Sequence, residues 1–174
     1  IYQIGMSINN ISFMPVWGFS MAATTLVGQN LGASRPDLAE EYVRRILKIG
    51  MLIVCVLGSI NFIFSSQLVS IYSPDAEMIQ IGNFAIKILS LSLPFSCLVS
   101  ILSASLRGAG DIIYTTITTF IGIWGFRLTL VLLFSKFFNL NIYGVWIAVG
   151  IDFAIRGLLY LARFKRGNWK KGVV

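Results

Sequence analysis

A succession of long apolar runs constrains this chain more than any other feature. The runs fall at about residues 4–33, 45–68, 79–106, 112–134 and 143–162. A helix crosses the hydrocarbon core of a bilayer with about 20 mostly apolar residues, and each run is long enough. None shows the period-two alternation of a membrane strand. The pattern predicts an all-α polytopic transmembrane helix bundle with about five spanning helices. Composition points the same way. Charged residues make up 12% of the chain and the mean hydropathy is +0.81, whereas soluble domains carry about 25% charged residues. A soluble chain this apolar would expose more greasy surface than it could bury.

The connections are punctuated by Ser34-Arg35-Pro36-Asp37, Ser73-Pro74-Asp75, Gly108-Ala109-Gly110-Asp111 and Asn139-Leu140-Asn141. Short connections make neighbouring helices antiparallel. The cations then sort to one side. Arg35, Arg44, Arg45, Lys48 and Arg107 fall there, with the tail Arg163, Lys165, Arg166, Lys170 and Lys171, against Lys87 and Lys136 opposite. The positive-inside rule makes the basic side and the C-terminus of this multi-pass chain cytoplasmic. Because these cations flank apolar runs, the net charge of +7 is no nucleic-acid footprint. An odd helix number places the chain start outside, and residue 1 is Ile rather than Met. Both features predict that the natural protein continues upstream.

The absence of His excludes His-dependent acid–base chemistry and His-ligated metals. Cys55 and Cys97 lie deep in apolar runs without metal-ligand neighbours and read as small buried hydrophobes. No activated nucleophile or paired carboxylates point to an enzyme. What remains is charge inside the membrane: Arg127, Asp152 and Arg156. Such residues pair or line a cavity, because an isolated charge in the bilayer costs several kcal/mol. Arg127 precedes the outer end of its run, and Asp152 follows the outer start of the next, by similar distances. At 1.5 Å per residue both sit roughly 13–14 Å deep. Asp152 and Arg156 share a helical face at i,i+4. The three are expected to cluster, either as a static packing pair or as a cavity charge that meets substrate or follows protonation.

Other polar residues are candidates for a substrate cavity. Gln3, Asn9 and Asn10 lie in the outer half of the first expected helix, followed by Phe13, Met14 and Trp17 around Pro15. Amides face a bundle interior or a cavity rather than lipid, and Met with aromatics suits a permissive apolar pocket. Core packing explains them equally well. Ser96, Ser100, Ala104 and Gly108 recur every four residues, as do Gly18 with Ala22 and Gly28 with Gly32. Such spacing lets membrane helices approach closely, and the Ser96 hydroxyl is a further cavity candidate. Thr115, Thr116, Thr118 and Thr119 are expected to bond their own helix backbone. Arg107-Gly108-Ala109-Gly110-Asp111 lacks the Lys-Ser/Thr ending of a phosphate loop and reads as a tight helix terminus.

Several of these segments resemble multidrug and toxic compound extrusion (MATE) transporters. Val27-Gly28-Gln29-Asn30-Leu31-Gly32-Ala33 with Arg35-Pro36-Asp37-Leu38-Ala39 resembles the end of that family's eighth helix. Leu106-Arg107-Gly108-Ala109-Gly110-Asp111 is similar to the end of the tenth, Trp124-Gly125-Phe126-Arg127-Leu128 to the eleventh, and Gly144-Val145-Trp146 to the start of the twelfth. Phe164-Lys165-Arg166-Gly167-Asn168-Trp169-Lys170 resembles the basic tail. The order is the family's own and covers nearly the whole chain. The resemblance implies helices eight to twelve of a two-lobe, twelve-helix transporter, with the N-terminal lobe as its missing partner. It implies alternating-access export of amphipathic, often cationic, drugs in antiport with H+ or Na+, without an organic cofactor. Gln3 matches a cavity-facing position. Thr129 stands where many relatives have Pro, and Ile112-Ile113 replaces a polar Thr. No Asp or Glu lies between Ile79 and Leu106, where some subfamilies bind the cation, so the coupling residue is unassigned. A lipid-linked saccharide flippase, a membrane enzyme and a non-transporting scaffold are the alternatives.

Overall fold

The computed structural model describes residues 2–70, 76–137 and 141–171, and the side chains of 13–70, 79–134 and 143–170. Among them there is no strand. Helix α1 spans Tyr2–Gly32, α2 Pro36–Ile63, the short α3 Ser65–Ser70 and α4 Ala76–Gly108. Helix α5, Ile112–Phe120, runs through a π-helical segment, Ile121–Arg127, into α6, Leu128–Phe137. Helix α7 spans Asn141–Lys165, and a 3₁₀ turn, Asn168–Lys171, follows. Four stretches of the described residues are long and apolar enough to cross a membrane: Pro36–Ile63, Ile79–Gly108, Ile112–Phe134 and Tyr143–Lys165.

The second run was expected to start near residue 45, after a polar turn. The helix instead begins at Pro36, whose fixed φ suits a first helical position. It passes through the polar stretch because Glu40 bonds Arg44 and Glu41 bonds Arg45 at i,i+4. Two helix ends close in the same way. Arg35 N–H donates to Asn30 O and Ser34 N–H to Leu31 O, with Ser34 at φ 57°. Asp111 N–H donates to Leu106 O and Gly110 N–H to Arg107 O, with Gly110 at φ 85°. Both are left-handed caps that satisfy the last carbonyls. The glycine-rich segment is thus a helix terminus.

Helix α4 lies at the centre, packed by α1, α2, α3, α5 and α7. Its apolar window is 61% buried, against 17% for α2 and 11% for the α5–α6 span. Small residues draw α1 onto it. A Cβ on Gly108 would stand 2.5 Å from the Thr24 carbonyl oxygen, and Thr24 Oγ1 donates to Ala104 O at 3.0 Å. Gly28 approaches the Gly108 carbonyl, but Gly18 and Gly32 meet no neighbour within 4 Å. Only part of the small-residue stripe is therefore a seam. The seam with α7 uses Gly150 against Ser92 and Gly157 against the Phe95 carbonyl.

At the basic end the chain folds back on itself. Trp169 is buried with Val27, Val43, Leu106 and Phe164. Its indole stacks on Phe164 at 4.9 Å, and Nε1–H donates to the Phe164 carbonyl. Lys170 reaches Glu40 at 2.5 Å and Asp37 at 3.1 Å on α2. The tail that read as a basic membrane flank is a clasp across the end of the bundle.

Candidate functional site

Helix α7 carries Asp152, Arg156 and Tyr160 at four-residue steps, so one face is polar. Arg156 Nη2 donates to Asp152 Oδ2 at 2.5 Å. Asp152 is 0% exposed and Arg156 6%. Among the described residues, Asp152 Oδ1 and Arg156 Nε are buried without a hydrogen-bond partner. The π-helical segment makes room for the arginine. A Cβ on Gly122 would fall 2.4 Å from Arg156 Cδ and 2.9 Å from Cγ. The guanidinium also lies 5.5 Å from the Phe153 ring centroid.

Arg127 is half-buried and makes no ion pair among the described residues. Of the expected trio, Asp152 and Arg156 are bonded to each other, and Arg127, at the end of the π-helical segment, pairs with neither among the described residues.

Towards the basic end, the polar face continues. Tyr160 Oη donates to the Thr115 carbonyl at 3.0 Å and shares a 2.8 Å hydrogen bond with Thr119 Oγ1. Thr115 Oγ1 bonds its own helix at Ile112, as expected, but Thr119 serves α7 instead. Arg163 Nε donates to Asp111 Oδ2 at 2.8 Å while its guanidinium lies 4.8 Å from the Tyr114 ring centroid. An open cavity of about 360 Å³ adjoins this network, lined by Arg107, Thr116, Thr119, Phe120 and Trp124. Sequence reasoning missed these partners, because they join residues more than 40 positions apart.

A second open surface lies on α1. Met14, Trp17 and Met21 recur at helical spacing and are 73%, 67% and 74% exposed. Phe13 turns inward, packed against the core of Val16, Val54 and Leu93. Gln3, Asn9 and Asn10 lie on α1, but their side chains are outside the described residues. Ser96 departs from expectation. It is buried and its hydroxyl donates to the Leu93 carbonyl at 2.7 Å. It faces no open cavity, because α4 is enclosed on this side by its neighbours. Among the described residues no group of three His, Cys, Asp or Glu could hold a metal ion.

Residues 1–133 match the MatE family. The chain belongs to that family. It is 34% identical over 173 residues to a probable multidrug resistance protein NorM of Thermotoga maritima, covering 99% of this chain and 37% of that protein. The structure of the MATE transporter ClbM in complex with Rb+ has the same fold, with a TM-score of 0.89 at 18% identity over 99% of this chain and 41% of ClbM. So has the eukaryotic MATE transporter AtDTX14, with a TM-score of 0.88 at 23% identity over 98% and 38% of the two chains. The chain spans 34% to 37% of the length of the first curated MatE relatives. Membership of this transporter family, with the spans described above, makes the chain a multi-pass membrane protein and not an enzyme. Within the MatE match, Thr129 donates its hydroxyl to the Gly125 carbonyl.

Proposed function

We propose that this chain forms one lobe of a MatE drug exporter, which expels amphipathic, often cationic, compounds in exchange for protons or sodium. The observation that carries this reading is the open wall of α1, where Met14, Trp17 and Met21 stand free of the bundle. Polarizable and aromatic side chains accept varied apolar cations without demanding one shape. The other wall belongs to a second lobe, which accounts for the length of the MatE relatives. Alternating access follows from rocking the two lobes around the site between them. Drug and coupling ion drive it only by binding the two states unequally. The site needs no organic cofactor and no nucleic acid. In the plasma membrane the basic end, with the Asn168–Lys171 clasp, faces the cytoplasm.

A saccharide flippase would need a basic cavity for a lipid pyrophosphate. Arg156 offers little to such a cavity, since it is buried and bonded to Asp152. The test is transport by the full-length protein in proteoliposomes, with ethidium as substrate. Export driven by an imposed pH or sodium gradient is expected. If neither gradient moves ethidium, and a lipid-linked oligosaccharide crosses instead, the exporter reading is wrong.

A further inference from the structure

At the basic end, the open cavity of about 360 Å³ is lined by the last turn of α4, by α5 and by the π-helical segment, and by no residue of α1. We propose that it seats the head of an anionic phospholipid, with the phosphate on Arg107 and Thr116 and an acyl chain along Phe120 and Trp124. Such a seat belongs to the membrane around the lobe rather than to the cargo, and it is independent of the exporter reading.

The charge at this cavity is unmatched. Arg107 is exposed, and its side chain makes no ion pair or hydrogen bond among the described residues. Other cations at the same end are already neutralised: Arg44 by Glu40, Arg45 by Glu41, Arg163 by Asp111, and Lys170 by Glu40 and Asp37. No acid is among the described residues lining the cavity. Asp111, close by in sequence, is held by Arg163 at 2.8 Å. The Thr116 hydroxyl is unused. It was expected to bond its own helix, yet it makes no hydrogen bond among the described residues. Thr115 and Thr119 line the same cavity, but Thr115 bonds Ile112 and Thr119 bonds Tyr160. A guanidinium fork beside a free hydroxyl offers the donors that phosphate oxygens accept.

The chemistry then changes with depth. Thr116, Phe120 and Trp124 follow one another at four-residue steps, so hydroxyl and aromatics form one stripe running inward. At about 1.5 Å per residue, Thr116 lies about 6 Å and Phe120 about 12 Å along α5 from Ile112. Phe120 and Trp124 are 63% and 62% exposed, and their rings stack with centroids 6.3 Å apart. A polar head at the surface and an apolar chain below it is the order of a phospholipid in that leaflet. A free anion would leave the aromatics idle, and a neutral apolar molecule would leave Arg107 unmatched. Basic pockets between spanning helices hold acidic head groups in this way. Lys48 supplies the contrast. It heads an open apolar face on α2 with Met51, Leu52 and Cys55, but the hydroxyl lining that face, Ser59, is about three turns away.

The experiment uses the full-length protein in vesicles of equal phosphatidylglycerol and phosphatidylcholine. It is extracted in mild detergent, and its bound lipids are read by native mass spectrometry without any drug. Selective retention of phosphatidylglycerol is expected. Arg107→Gln should lower that retention by about tenfold, the scale of one lost hydrogen bond to a charged group. Thr116→Val and Trp124→Ala should each lower it by less, and Lys48→Gln should leave it unchanged. Equal retention of the two lipids overturns the proposal, because the head is then not recognised. So does equal loss in Arg107→Gln and Lys48→Gln, which would make the attraction one of general surface charge. Unchanged retention in Arg107→Gln overturns it too, and would mean that another part of the protein covers the cavity. Loss of the lipid to millimolar inorganic phosphate, with no effect of Trp124→Ala, would make it a free-anion site instead. Should Arg107→Gln not fold, the exposed positions decide: wild-type retention in both Thr116→Val and Trp124→Ala overturns the proposal.

Discussion

Glycine 122 is the residue whose side chain matters most by its absence. Replacing it with Ala places a methyl carbon where Arg156 Cδ now lies, at 2.4 Å. Gly122→Ala should dislodge Arg156 and weaken the Asp152 pair, lowering stability by about 1–3 kcal/mol as overpacking does. Thermal unfolding of the purified full-length protein in detergent measures this, and an unchanged midpoint would mean the arginine has room to shift. Tyr160→Phe is a subtler test. It keeps the ring in the core but removes the bonds to Thr115 and Thr119. A loss of about 1 kcal/mol is expected, the net worth of an intramolecular hydrogen bond. The sequence showed Asp152, Arg156 and their i,i+4 relation. It did not show that Gly122, 34 positions before Arg156, is what admits the arginine.

Among the elements, α4 is organised by its serine hydroxyls, which donate to its own backbone carbonyls, and by glycines at its seams with α1 and α7. Ser90, Ser92, Ser96 and Ser105 all donate to carbonyls three or four residues back. A membrane helix can therefore bury many hydroxyls without a cavity. That is why Ser96 was a poor cavity candidate despite its polarity. Gly108→Leu should separate α1 from α4, since even a Cβ would stand 2.5 Å from the Thr24 carbonyl. The expected outcome is a sharp fall in folded membrane yield, with Gly28→Ala milder because its neighbour is at 3.5 Å. Normal yield of Gly108→Leu would show that the two helices can part without harm.

At the scale of the whole molecule, the C-terminal clasp ties the end of α7 to the start of α2. Trp169→Ala should destabilise the lobe by about 3–5 kcal/mol, as the loss of a buried aromatic does. Increased hydrogen exchange over Asn168–Lys171 would report it. The clasp also has a pH limit. Hydrogen bonding to Glu40, and then to Asp37, raises the Lys170 ammonium above its usual 10.5. The bonded form is the charged one. The stabilisation is therefore complete below the ordinary lysine value and is lost as pH rises through the raised one. A carbon NMR titration of the Lys170 side chain should show a midpoint above that of free lysine, falling back in Glu40→Gln. An ordinary midpoint in the wild type would rule the clasp out.

The sequence alone determined the class of this protein. Apolar run length dictates spanning helices, because an unpaired backbone cannot lie in hydrocarbon, and the segment motifs in their order are those of the MatE family. It also determined that charge lies inside the bundle. Tertiary structure decided which charge meets which. Arg127 by depth and Arg156 by its i,i+4 spacing both have a claim on Asp152, and only the packing of α7 on a π-helical turn seats Arg156 against Gly122. It likewise decided that Trp169 is buried in the core and that Ser96 is enclosed and bonded to its own helix rather than open to a cavity. Those outcomes depend on contacts between residues far apart in the chain, and periodicity records only which face of a helix a residue occupies, not what that face will meet.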